Sequence, residues 1–364
     1  MKAEWIIVGQ GLAGSCIARQ MEAQNMDFLL VDNQLERSSS LVAAGLYNPV
    51  VFRKFNLSFQ AKKLVPYLRK FFGQIESEFG VEVHQDLPIY KLFHSHEEAN
   101  NWAARCTEPG FDAFMDKDLL PAGFVESAEC SFGAGRVKQA GRVNLPLLLQ
   151  TLQAYFLEKS LLVTGEIQDL QANTEGFELS LTDGKTIQGQ KVILCDGHLA
   201  KNENWFSYLP LGATKGDVLT VKIPGLKTDG VLNKGFFILP LGDDLFRVGA
   251  TYEWGNSSYD LSEKGRQELL EKLEGVVQLP YEVIDQQSGL RPTVGDRRPL
   301  IGEHPKQKGL YTFNGLGSKG VMLAPYYSEH MVDYLLGKSE LDPDVDLKRY
   351  EHHWEKNQKP ASGN

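Results

Sequence analysis

Trp5-Ile6-Ile7-Val8 runs directly into Gly9-Gln10-Gly11-Leu12-Ala13-Gly14, and this junction restricts the fold more tightly than any other stretch of the chain. The apolar run is short enough for a parallel strand buried on both faces. Residues 15–24 read as a helix with Cys16 and Ile17 facing inward. Residues 28–31 read as a second apolar strand ending at Asp32, about 20 residues beyond the glycines. Gly9 permits the tight turn, Gly11 lets backbone approach a pyrophosphate, and Gly14 lets the helix close on the strand. Leu12 and Ala13 lie in the glycine turn ahead of the helix, whose N-terminus offers free N–H groups and a positive dipole. Asp32, followed by Asn33, can accept hydrogen bonds from a ribose, and its charge would repel a 2′-phosphate, so NADP is disfavoured. Strand, turn, helix, strand and acid in this order predict a dinucleotide-binding βαβ unit. The fingerprint alone leaves NAD and FAD open.

At 364 residues the chain is long enough for two domains or one large α/β unit. Its 42% apolar and 23% charged residues allow a substantial core. The 35 glycines follow no collagen-like period and should mark specific turns and close approaches. Asp and Glu number 47 against 38 Lys and Arg, for a net charge of −9. That balance excludes a protein gripping phosphate backbones over its whole surface, though not a local basic patch. Cys16, Cys106, Cys130 and Cys195 show no CxxC spacing, and reduced thiols in a cytoplasmic protein are expected. The eight histidines have no ligand-like spacing, so no metal is expected; His94, His96, His352 and His353 read as surface residues. No apolar run approaches about 18 residues and the N-terminus lacks a leader pattern, so no membrane span is expected.

Beyond Asp32 the chain enters a small-residue loop, Ser38-Ser39-Ser40-Leu41-Val42-Ala43-Ala44-Gly45-Leu46-Tyr47-Asn48-Pro49. Gly141-Arg142-Val143-Asn144 precedes a helical stretch, 145–159, then a strand, 161–164, and Gly165-Glu166-Ile167. Lys191-Val192-Ile193-Leu194-Cys195-Asp196-Gly197 is an apolar strand closed by a glycine turn. Near the C-terminus, Gly289-Leu290-Arg291-Pro292-Thr293 leads to Asp296-Arg297-Arg298-Pro299-Leu300-Ile301-Gly302. A strand at 310–313, Asn314-Gly315-Leu316-Gly317-Ser318-Lys319-Gly320 and a helix at 321–336 follow. Together these segments resemble the FAD-dependent amino acid oxidase family of D-amino acid oxidase, glycine oxidase and sarcosine oxidase, over nearly the whole chain.

The resemblance implies an α/β fold: a Rossmann-like FAD-binding domain built from 1–80, 141–205 and 290–364, interleaved with an antiparallel-sheet substrate domain from 81–140 and 206–289. Within the latter, 212–221 reads as a turn feeding a strand, and 235–240 and 245–251 as strands joined at 242–244. The last ten residues or so are expected to be disordered. Ala43, Ala44 and Gly45 would run along the flavin, Ile167 would present backbone to adenine or pack as a core residue, and Gly197 would close the returning strand. Gly315, Gly317, Ser318, Lys319 and Gly320 would face the flavin ring, where a helix N-terminus favours the charge that builds on reduction. Arg291 is placed beside the cofactor and, as a catalytic-site residue, would hold a substrate carboxylate bidentately, with a structural ion pair to Asp296 as the other reading. Tyr252 would line the pocket or pack in the core. Arg247 stands where sarcosine oxidase has a lysine that helps oxygen react.

The implied activity is oxidation of the C–N bond of a small amine or amino acid by hydride transfer to flavin, giving an imine that hydrolyses, with oxygen or another acceptor reoxidising the flavin. The alternatives are a non-catalytic FAD-binding protein and a tRNA-modifying enzyme. Gly249-Ala250-Thr251-Tyr252-Glu253 and Gly317-Ser318-Lys319-Gly320 most resemble the flavin domain of the bifunctional tRNA wobble-uridine modification enzyme, which removes a carboxymethyl group. Arg53, Lys54, Lys62, Lys63, Arg69 and Lys70 are the basic residues that could face RNA, or form a solvated helix face. Some sarcosine oxidases attach flavin through a cysteine shortly after the Arg291-like motif, whereas all four cysteines here precede residue 200. FAD should therefore be non-covalent. Acid precipitation of the purified protein should release the yellow colour to the supernatant; colour retained in the pellet would contradict this.

Overall fold

The computed structural model describes residues 1–34, 38–201 and 205–358. Two compact units divide the chain, one holding Met1–Leu41, Leu145–Thr214 and the segment from Arg291 onward, the other Val42–Asn144 and Lys215–Leu290.

The first unit is organised by a parallel sheet. Strand β1 (Lys2–Val8) leads through the glycine turn into helix α1 (Leu12–Ala23) and strand β2 (Phe28–Asp32). Helix α2 (Leu145–Glu158), strand β3 (Leu162–Thr164) and strand β4 (Thr186–Leu194) follow, and strand β5 (Leu310–Asn314) precedes helix α3 (Gly320–Leu335). The parallel order is β3–β2–β1–β4–β5. Its register aligns Thr164 with Asp32, Val31 with Val8, Val8 with Leu194, and Leu194 with Thr312, so all five strands end at one edge. Two antiparallel strands, Ile167–Asn173 and Gly176–Leu181, extend the sheet beside the first half of β4. The Trp5–Val8 run is buried throughout, as a central parallel strand covered on both faces demands.

The junction between β1 and α1 is very tight. Gly9 has φ +95° and donates its N–H to the Val31 carbonyl at 2.8 Å. A Cβ at Gly14 would lie 1.8 Å from the Gly9 carbonyl oxygen, so no side chain fits while the helix keeps this position.

In the second unit an eight-stranded sheet contains the hairpin Phe237–Gly242 and Leu245–Gly249, with Val231–Asn233 running parallel to Ile89–Leu92. Asp243 and Asp244 both have positive φ (51° and 58°), the geometry of a two-residue turn that matches strand twist. The strand read within 212–221 is present but the turn ahead of it is not: Leu211–Lys222 is one continuous strand, with Thr214, Lys215 and Asp217 buried. The disorder expected near the C-terminus is also not seen through 358, since Glu351–Gln358 is helical; 359–364 lie outside the described residues.

The domain boundaries differ from those read in the sequence, chiefly for residues 42–80. Leu46 and Tyr47 pair with Arg142 and Gly141, and the Glu76 carboxylate of helix Ala61–Phe79 accepts the N–H groups of Val83 and His84. These bonds attach 42–80 to the second unit. All four cysteines are buried and unpaired. No helix among the described residues is long and apolar enough to cross a membrane.

Gly14→Ala should destabilise the protein by about 1–3 kcal/mol or more, the cost of forcing atoms into a filled space. Urea unfolding checks this, and an unchanged midpoint and slope would contradict the tight junction.

Candidate active site

Because the five parallel strands end together, the segments leaving them converge: Gly9–Gly14 after β1, Asn33 after β2, Gly165–Ile167 after β3, Cys195–Gly197 after β4 and Gly315–Gly320 after β5. This carboxyl edge is where open α/β sheets bind ligands. Gly9, Gly11, Leu12, Ala13, Gly14, Asp32, Asn33, Gly197, Gly315, Gly317, Ser318, Lys319 and Gly320 are thus brought to one edge of one sheet.

Two helices start there. Neither α1 nor α3 has a side-chain cap from its N-cap residue or an acid in its first turn. Their amino ends are neighbours, since a Cβ at Gly320 would lie 3.4 Å from Leu12 Cδ2. The Leu12 N–H donates to Ser40 Oγ at 3.1 Å. Ser40 was not singled out from the sequence, although the Ser38-Ser39-Ser40 run was its signal. Two adjacent helix N-termini without a cap from their own N-cap side chains, one of them supplied with a hydroxyl by Ser40, suit a diphosphate.

Asp32 is held in place by backbone. Its Oδ2 accepts from Gln10 N–H and its Oδ1 from Gln34 N–H, each at 2.6 Å. A carboxylate has about four lone-pair sites, so two remain for ribose hydroxyls. Asn314, also missed in the sequence, ties the neighbouring strand ends together: its Nδ2 donates to Asp196 Oδ1 at 3.1 Å and to the Gly197 carbonyl at 2.8 Å. Asp196, which departs from the family's usual Ala-Thr-Gly or Ala-Ala-Gly turn, has this anchoring role.

The second glycine loop is fastened to the segment carrying Arg291. Gly317, with φ +54°, donates its N–H to the Pro292 carbonyl at 2.9 Å. Arg291 is half-buried. The Asp296 carboxylate accepts from Arg349 Nε at 3.1 Å and the Tyr350 hydroxyl at 3.0 Å. Burial and the nearby Arg297 lower the Lys319 ammonium to about 8. Ile167 is half-buried against the sheet core and pairs with Leu181.

Ala43, Ala44, Gly45 and Tyr252 belong to the second unit and are held by its own contacts. Gly45 accepts the Val143 N–H at 2.9 Å, and a Cβ there would lie 1.9 Å from the Val143 carbonyl oxygen. Tyr252 is 42% exposed and meets Trp254 edge-on at 5.3 Å, so the core-packing reading does not hold. Arg53, Lys54, Lys62, Lys63 and Lys70 are exposed, while Arg69 is ion-paired to Asp86 at 2.6 Å. Among the described residues no cluster of His, Cys, Asp and Glu could hold a metal. Burial pushes the Cys16 and Cys195 thiols far up, which removes them as nucleophiles.

Sheet edge, paired helix ends and ribose-facing acid define a dinucleotide-binding α/β protein, and the donor set fits FAD. The chain belongs to the DAO family of FAD dependent oxidoreductases, whose profile matches residues 4–334. It is 25% identical over 345 residues to a glycine oxidase of Geobacillus kaustophilus (strain HTA426), covering 88% of this chain and 89% of that one. It is 22% identical to the tRNA 5-methylaminomethyl-2-thiouridine biosynthesis bifunctional protein MnmC of Marinobacter nauticus, covering 90% of this chain but 54% of that protein. The fold is similar to that of iminodiacetate oxidase from Chelativorans sp. BNC1, with TM-score 0.80 and 20% identity over 95% of this chain and 98% of that one. The protein is an FAD-dependent oxidoreductase.

Asp32→Ala should weaken FAD binding about 10- to 100-fold, the scale of losing charged hydrogen bonds worth about 1.5–3 kcal/mol. Titration of the folded apoprotein with FAD checks this; wild-type affinity would contradict the ribose role.

Proposed function

We propose that the substrate is a small amino acid or carboxylated amine, with Arg291 holding its carboxylate. The observation that carries this reading is the anchoring of the second glycine loop to Pro292, adjacent to Arg291, by the Gly317 N–H. A half-buried guanidinium beside a cofactor loop is matched to a carboxylate by its planar fork of donors. Two relatives covering most of the chain are named glycine oxidase, which supports a small substrate. When bound, FAD would supply the acceptor for the hydride that leaves the carbon beside the amine nitrogen. Nitrogen loses its proton as the C=N bond forms, and water then splits the imine into a carbonyl compound and an amine or ammonia. Arg291 fixes the carboxylate so that the adjacent C–H bond is presented in one orientation, which is the main service a protein performs for such chemistry.

The reading includes the cytoplasm as location and leaves the electron acceptor as oxygen or another oxidant. Arg247 takes the place of the oxygen-activating lysine of sarcosine oxidase, which argues for slow reaction with oxygen. A second reading, a tRNA wobble-uridine substrate, draws on the similarity to the bifunctional protein and on the exposed lysines of helix Ala61–Phe79. The net charge of −9 opposes it.

Anaerobic mixing with glycine, sarcosine, proline and D-amino acids should bleach the flavin with at least one of them. Arg291→Ala should raise KM for that substrate about tenfold or more. No bleaching by any, together with tRNA binding that weakens steeply with salt, would replace the first reading by the second.

A further inference from the structure

In the second unit two guanidinium groups are half-buried near one another. Arg142 lies in the strand Gly141–Val143, paired with Leu46 on one side and Gln85 on the other. Its side chain makes no hydrogen bond or ion pair among the described residues, although burial lowers its pKa from the usual guanidinium value. Arg247 lies in the strand Leu245–Gly249. It donates from Nη2 to Gln287 Oε1 at 2.7 Å and from Nη1 to the Val42 carbonyl at 3.4 Å. Its Nε–H is buried with no acceptor among the described residues. The short stretch from Val42 to Leu46 touches both arginines, one through the Val42 carbonyl and the other through strand pairing at Leu46.

Removing a cation from water is unfavourable unless an anion or acceptors replace the solvent, and two like charges in range of each other add to that cost. The acids around the pair do not meet the need. Asp86, beside Arg142 in the strand register, accepts from Arg69 Nη2 at 2.6 Å and from the Tyr47 hydroxyl at 3.1 Å. Asp285 attracts Arg247 electrostatically but is exposed, and no ion pair joins the two. Gln287 supplies one neutral acceptor. What remains is a pair of always-charged groups with spare donors and a buried N–H, arranged for a planar oxyanion that accepts from both.

We propose that Arg142 and Arg247 form an anion site in the second unit that takes a carboxylate. The ligand is a free carboxylate anion, for which malonate serves as the probe.

The experiment compares the melting midpoints of holoenzyme carrying wild-type sequence, Arg142→Gln, Arg247→Gln or Arg247→Lys, in malonate and in chloride at equal ionic strength. A carboxylate site predicts that malonate stabilises the wild type, loses its effect in the Gln variants and keeps part of it in Arg247→Lys. Equal malonate protection in all four proteins, or no protection of the wild type, overturns the proposal. Arg142→Gln carries the test should Arg247→Gln not fold, because the Arg142 side chain makes no hydrogen bond or ion pair among the described residues.

Discussion

The closeness of helix α1 to the end of strand β1 is the constraint from which the rest of the site follows. With the position of Gly14 only large enough for a hydrogen, the helix begins directly beyond the strand and presents its amino end at the carboxyl edge of the sheet. Parallel register then brings the ends of four more strands to the same edge. Side-chain bonds from Asn314 to the Asp196 turn lock the β4 and β5 ends together, and α3 starts beside α1 as a consequence. Each helix terminus favours a nearby anion by about 0.3–1 kcal/mol, a modest amount that matters because two of them act together with Asp32.

Electrostatics reconcile an acidic protein with anionic ligands. A net charge of −9 repels anions at long range, but exposed charges are screened over about 8 Å at physiological salt. Within that distance the helix ends and the partly buried Arg291 and Lys319 would act on an anionic ligand in the proposed site, their effects strengthened by partial burial. The exposed lysines on helix Ala61–Phe79 act in high dielectric, where the same charge counts for much less.

The βαβ unit at the N-terminus was legible because its rules are local. A glycine at a positive-φ turn, an apolar run and an acid at a strand end are each fixed by a few consecutive residues, and Gly9, Gly14 and Asp32 all lie where those rules put them. Ser40 and Asn314 were missed because their importance comes from what they reach, residues 28 and 118 positions away in sequence. The boundary drawn at residue 80 failed for the same reason: Tyr47 pairs with Gly141, a contact that no periodicity announces. The strand Leu211–Lys222 was read partly as a turn because its Gly212 and Gly216 look like breakers, whereas in an extended buried strand they are tolerated.

The central claim is that the carboxyl edge of the five-stranded parallel sheet holds the FAD diphosphate. The most direct measurement is a crystal structure of the holoenzyme. The diphosphate oxygens should lie within hydrogen-bond distance of the first N–H groups of α1, with a ribose hydroxyl on Asp32. Diphosphate density away from both helix N-termini, or a ribose with no contact to Asp32, would contradict the account.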